Sequence, residues 1–367
     1  MKDSIATEIF QQGENFRGYV IESLLGIGGL GAVYLARHEL MDQLFAIKIL
    51  YPYVAMQQPE YVRRFVREAR IAAKINHPNL VAVHDVGYDS SKDIYYLVME
   101  YVDGCDLRDV IALGGAMEST DAVRIVAAVA NALASGEQFG VVHRDIKPEN
   151  VMIAKDGMVK LVDLGVAKSR NTDSLRTMPN TVFGTPAYIS PEQAQDSSSV
   201  DSRSDIYSLG VVFFELLCGK RPYECNTLGE AVRIILSPKP LQDVRTVNPS
   251  VPAPLAGLLR EMLAKNPEKR IQNASSLLER LASLGYDVNT STAKKSPVDE
   301  EKEFSYSAFG NVEQKNTFVT QDKEIMSFVK AAKQKRRRQE LIRWAIPLTA
   351  LALATLALIL AIAYKLS

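Results

Sequence analysis

The sequence predicts an α+β protein of two lobes, a strand-rich first lobe with one helix and a mainly helical second lobe, ending in a transmembrane helix. Three observations carry that prediction. Residues 19–50 and 80–99 hold short β-branched runs around a single helical stretch at 61–75, whereas beyond residue 106 the apolar spacing is helical. Between the two regimes lies a short connector, Glu100-Tyr101-Val102-Asp103-Gly104, of the kind that joins lobes. Residues 344–364 are uncharged and rich in Leu and Ala, and 21 residues of helix span about 31 Å, the depth of a bilayer's hydrocarbon core.

Composition narrows the classes. With 47% apolar and 23% charged residues, the 367-residue chain can bury a sizeable core. Its net charge of zero gives no global bias toward nucleic acid or acidic partners. Cys105, Cys218 and Cys225 are sparse and lack C-x-x-C spacing, so they read as reduced thiols of a cytosolic domain. Residues 1–18 have no apolar run of the secretory type and read as a loose leader.

In chain order, Leu24-Leu25 leads into Gly26-Ile27-Gly28-Gly29-Leu30-Gly31 and then Ala32-Val33-Tyr34. A lone G-x-G-x-x-G is equally a glycine-rich hairpin turn. Here a second strand follows rather than a helix, so the loop joins two antiparallel strands and its bare backbone can fold over phosphates. In the next strand Phe45, Ile47 and Ile49 share one face. Ala46 and Lys48 share the other, where a small residue leaves room for a flat base and an ammonium reaches phosphate oxygens. Glu68 falls on the apolar stripe of the helix at 61–75, where a carboxylate needs a cationic partner. Lys48 is the natural one; Arg64, one turn earlier, is the alternative. The connector's backbone is placed to meet the edge of a base.

A long apolar helix at 120–139 delivers the chain to His143-Arg144-Asp145-Ile146-Lys147-Pro148-Glu149-Asn150, with Asp163-Leu164-Gly165 beyond. Asp145 can accept a proton from a hydroxyl, and Lys147 offsets charge on a phosphoryl group in transfer. Asn150 and Asp163 offer the oxygen ligands that suit magnesium.

These residues, in this order, resemble the eukaryotic-type (Hanks-type) Ser/Thr protein kinase family, and within it the bacterial membrane-anchored branch, over residues 19–284. The resemblance implies a bilobal protein kinase fold. It implies ATP and Mg2+ as cofactors, with Gly26, Gly28 and Gly31 over the phosphates and Lys48 paired with Glu68. The nucleotide site then comprises the stretch Leu25, Gly26, Ile27, Gly28, Gly29, Leu30, Gly31, Ala32 and Val33, with Ala46, Lys48, Glu68, Met99, Glu100 and Val102. Asp145 and Lys147 are implied as catalytic, and Asn150 and Asp163 as metal ligands. Ser190-Pro191-Glu192 resembles the family's A-P-E element with serine in place of alanine, and Glu192 is expected to pair with Arg270. Asp205 resembles the buried aspartate that braces the catalytic loop. Leu164 replaces the usual phenylalanine, and Glu137 stands where relatives often carry histidine.

Lys147 and Thr185 match the Ser/Thr pattern, so protein serine and threonine hydroxyls are the expected acceptors. The resemblance implies Arg144 as a ligand for a phosphate on the activation segment, and Thr177 and Thr181 are the favoured autophosphorylation sites. After the kinase domain come a polar linker at 285–332 and a basic segment at 333–343 containing Lys335-Arg336-Arg337-Arg338. Beside an apolar span the basic run fits the positive-inside rule and anionic lipid better than nucleic acid. The expected topology is single-pass in the cell membrane, kinase domain cytoplasmic, with residues 365–367 as a short outer tail. Ala350, Ala354, Ala357 and Ala361 permit close helix packing and so allow a homodimer. The competing reading is a membrane-bound pseudokinase scaffold, which is expected to lack Lys48, Asp145 or Asp163.

Overall fold

Alternating apolar residues build the first lobe. In the computed structural model, which describes residues 9–57, 59–162, 186–195, 200–225 and 227–289, six antiparallel strands form one sheet. They are β1 (Asn15–Phe16), β2 (Tyr19–Ile27), β3 (Gly31–His38), β4 (Leu44–Leu50), β5 (Val83–Asp89) and β6 (Ile94–Glu100), in the order β1-β2-β3-β4-β6-β5. Phe45, Ile47 and Ile49 of β4 are buried against Tyr34, Ile94 and Val98, so the face predicted apolar is the core face.

Two helices, not one, accompany this sheet: α1 (Pro52–Gln57) and α2 (Pro59–Ala72). Prolines at 52 and 59 restart the helix at its favoured first position, a break the apolar period alone does not reveal. The leader is also shorter than expected. Phe10 and Phe16 are buried, and Phe10 packs edge-on against Tyr34. Lys92 holds the segment down, contacting Glu14 at 2.6 Å and lying 5.1 Å over the Phe10 ring. Polar residues between the two phenylalanines masked this packing.

The second lobe is wound on two buried helices. After α3 (Leu107–Gly114), α4 (Ser119–Glu137) packs against a small sheet of β7 (Gly104–Asp106), β8 (Val151–Ala154) and β9 (Val159–Leu161). The short α5 (Pro191–Gln195) leads to α6 (Ser202–Cys218), which is buried all round from Ser204 to Phe214. A helix apolar on every side belongs in the middle of a lobe. Asp201 caps its start and Gly219, at φ 66, ends it. Around it lie α7 (Leu228–Leu236), α8 (Val244–Val247), α9 (Ala253–Met262) and α10 (Ala274–Ser283).

The lobes are joined along an edge as well as through the connector. Asn79 Nδ2 donates to the Val159 carbonyl at 2.9 Å, and Val81 N–H to that of Leu161 at 3.1 Å. Glu100 forms an ion pair with Lys160 at 2.6 Å. Among the described residues no helix is long and apolar enough to cross a membrane. The span at 344–364, the basic segment, Asp163, Thr177 and Thr181 lie outside the described residues.

Candidate active site

The catalytic stretch is positioned from behind. Asp205, in the first turn of α6, accepts the His143 N–H at 2.7 Å and the Arg144 N–H at 2.7 Å. Burial raises its carboxyl to about 7, against the pull of these two donors. Arg144 sits at φ 65, a left-handed conformation that costs a non-glycine residue about 1–3 kcal/mol. Its carbonyl accepts from Gln193 Nε2 at 3.0 Å, so both of its peptide groups are tied to the lobe's interior.

This frame presents Asp145, Lys147 and Asn150 together. Lys147 Nζ lies 3.0 Å from Asp145 Oδ2. Asn150 Nδ2 donates to the same oxygen at 3.1 Å and to the Asp145 carbonyl at 2.8 Å. With its amide nitrogen so engaged, Asn150 keeps its side-chain oxygen as an acceptor, the atom a hard cation would use. A single turn of 3₁₀ helix at Pro148–Asn150 makes this possible, folding Asn150 back onto a residue five positions earlier.

Apolar residues of both lobes form one cluster, the candidate slot for a flat base. Ala46, Met99 and Val102 are buried in it together with Val81, and Leu25 and Val33 pack on from the first lobe. Met152, Ala154 and Val162 close it from the second. The sequence reading lacked these last residues and Val81. The alternation of β8 after Asn150 offers a signal for Met152 and Ala154, which share a strand face. Glu100 turns its side chain away to Lys160, leaving the connector's backbone as its possible contribution to the slot.

The glycine loop joins β2 and β3 as a hairpin, with Gly28 N–H donating to the Gly31 carbonyl at 2.8 Å. A Cβ at Gly26 would meet nothing within 4 Å, and one at Gly28 only the Gly31 carbonyl at 3.5 Å. Their bare backbone therefore faces open space, room that a phosphate could fill. Gly31 differs: a Cβ there would run into the Ile49 carbonyl at 1.8 Å. Two side chains of the stretch point into the first lobe. Ala32 is buried in the first lobe's own core and Leu30 packs against that core, because strand alternation sends Ala32 opposite to Val33. Ile27 is 58% exposed and Gly29 accepts from the Tyr53 hydroxyl at 3.0 Å. Lys48, paired in register with Val33 and Leu97, and Glu68 are both half-buried and both have polar partners, while Arg64 lies 5.7 Å over the Tyr61 ring.

A platform borders the catalytic loop. Tyr188 donates to Glu215 at 2.6 Å, and Ser208 Oγ to the Tyr188 carbonyl at 2.7 Å. Glu192 pairs with Arg270 through 2.7 and 3.1 Å contacts and also accepts from Ser204 at 2.6 Å. Burial works to raise the Glu192 carboxyl, but Arg270 outweighs it and the net shift is downward. Glu137, at the end of α4, accepts the Ala274 N–H at 3.1 Å, which gives the residue found in place of histidine a role in capping α10.

A lobe of antiparallel sheet, a mainly helical lobe, an apolar cluster drawing on both and an Asp-Lys-Asn group on one loop are the architecture of a protein kinase domain. Residues 19–281 match the protein kinase domain family, and the chain belongs to it. The serine/threonine-protein kinase PrkC of Bacillus subtilis is 37% identical over 292 residues, covering 78% of this chain and 43% of PrkC. PknB of Mycobacterium leprae, also a serine/threonine-protein kinase, is 38% identical over 261 residues, 71% of this chain and 42% of that protein. The chain thus spans less than half the length of these relatives. The crystal structure of the Mycobacterium tuberculosis PknI kinase domain superposes with a TM-score of 0.58 at 29% identity, covering 75% of this chain and 98% of that one.

Proposed function

We propose that this chain is a Ser/Thr protein kinase that transfers the ATP γ-phosphate to serine and threonine hydroxyls of proteins. The observation that carries the reading is Asp145 Oδ2 held between Lys147 Nζ at 3.0 Å and Asn150 Nδ2 at 3.1 Å. A carboxylate positioned by two donors is a fit acceptor for the proton of an incoming hydroxyl. Lys147, already beside it, is placed to balance negative charge as the phosphoryl group moves. The slot around Ala46, Met99 and Val102 receives the base, and the open backbone at Gly26 and Gly28 the phosphates. Asn150 and Asp163 would hold Mg2+, which when bound neutralises phosphate charge. Lys48 paired with Glu68 would steady the α- and β-phosphates.

In the same reading, residues 344–364 anchor the chain in the cell membrane with the kinase domain cytoplasmic, and the basic segment before them rests on anionic lipid. Phosphate on Thr177 or Thr181, bound by Arg144, activates the enzyme. Mass-spectrometric phosphosite mapping of the full chain incubated with Mg-ATP, beside Asp163→Ala, tests this. Phosphoserine or phosphothreonine in the parent alone is the expected result. Equal incorporation in both, or none in either across detergent and anionic vesicles, would sink it and favour a scaffold.

A further inference from the structure

We propose that Gln193 is a positioning residue for phosphoryl transfer, a clamp that ties the end of the substrate platform to the backbone of the catalytic loop. The argument begins with the departure at Ser190. Ser190 is fully buried just before α5, and the pattern Ser190-Pro191-Glu192-Gln193 has the spacing of a capping box. The structure forms it: Gln193 N–H donates to Ser190 Oγ at 3.3 Å, and Gln193 Oε1 accepts the Ser190 N–H at 3.1 Å. In an ordinary capping box the third-position side chain has then finished its work.

Here it has not. A glutamine carries an amide nitrogen as well, and Gln193 Nε2 donates to the Arg144 carbonyl at 3.0 Å. That carbonyl belongs to the peptide group between Arg144 and Asp145, so its orientation sets where Asp145 begins. Arg144 is in the left-handed region at φ 65 and needs both ends held to stay there. Asp205 holds its N–H at 2.7 Å, and Gln193 holds its carbonyl. One side chain thus grips the platform's backbone with its oxygen and the catalytic loop's backbone with its nitrogen. Glutamate would serve the capping box equally well but has no donor for Arg144 when ionised. The choice of amide over acid therefore follows from the clamp and not from the helix.

Gln193→Glu separates these roles. The inference rests on the kinase reading, and turnover by the wild-type chain checks that reading independently. In the full-length protein, Gln193→Glu is expected to keep the melting temperature and the KM for ATP while turnover at pH 8 falls roughly tenfold, the scale of one lost hydrogen bond in a constrained site. As pH is lowered toward 5.5, the ratio of variant to wild-type turnover should rise, because the introduced carboxyl regains a proton to donate. Arg144 and Asp145 on the loop, Asp205 on α6, and the Glu192–Arg270 pair face the same region and are present in both proteins, so their titration cancels in the ratio. Ser190→Ala, which removes only the hydroxyl acceptor of the capping box, should lower the melting temperature and leave turnover within twofold. Wild-type turnover by Gln193→Glu at pH 8, or a loss that does not change with pH, would overturn the proposal. If that variant does not fold, Gln193→Leu decides: lower kcat at unchanged KM for ATP supports the clamp, and unchanged kcat refutes it.

Discussion

The catalytic loop is braced from behind by dry, charged bonds, whereas the glycine loop is tied by a few neutral ones. Arg270 has a side chain with no exposure, and it satisfies Glu192 and two backbone carbonyls at once. Asp205 is buried and holds two N–H groups. The glycine loop has Ile27 58% exposed and rests on Leu30 and Gly29 carbonyls bonded to Tyr51 N–H and the Tyr53 hydroxyl. The contrast fits what the proposed function asks of each. A proton acceptor must be placed within a fraction of an ångström of its target, and buried charge pairs resist displacement. A cover over phosphates must admit a nucleotide and release it, so its ties have to be easily broken.

The comparison is sharpened most by Asp145→Asn. It keeps the shape of the acceptor and removes its basicity, so turnover should fall by about 10²–10⁴ with the melting temperature unchanged. A comparable loss of stability in thermal unfolding would mean that Asp145 is part of the brace rather than what the brace supports.

Next in size is Arg270→Met, which leaves Glu192 buried without its cation and should cost about 3–5 kcal/mol in denaturant unfolding. The pair also sets an acid limit. The Glu192 carboxyl is lower in the folded than in the unfolded chain, so its contribution is present above the ordinary glutamate value of about 4.3 and is lost as pH falls through the folded value. Melting temperature followed from pH 7 to pH 3 should therefore fall less steeply in Arg270→Met than in the parent.

The glycine loop supplies the smallest and most discriminating pair. Gly31→Ala forces a methyl group onto the Ile49 carbonyl and should destabilise the first lobe by about 1–3 kcal/mol. Gly28→Ala meets no such obstacle and should leave the melting temperature alone while raising the KM for ATP. Equal effects of the two on stability would erase the distinction between a glycine required by the strand and one kept bare for a ligand.

Much of the site was legible because its chemistry is local in the chain. Asp145, Lys147 and Asn150 lie within six residues, so one turn of 3₁₀ helix suffices to gather them. The first-lobe strands were legible from alternation, and α6 from an unbroken apolar run. The packed leader was not, since the burial of Phe10 depends on Tyr34 and Lys92, far along the chain. The extra helix α1 escaped for a different reason, a proline restart that apolar periodicity does not register.

By itself the sequence determined which groups are available and, through spacing, which of them meet in one loop. Period and turn chemistry act over a few residues, so they reach no further. Only the tertiary structure decided that Ala32 faces the core while Val33 faces the slot, that Met152 and Val162 close the slot from the second lobe, and that Glu137 caps a helix beginning at Ala274. It also brought Gln193 to the Arg144 carbonyl, 49 positions away in the chain. Such contacts depend on how whole elements pack, and packing is a property of the assembled core that no short stretch of residues carries.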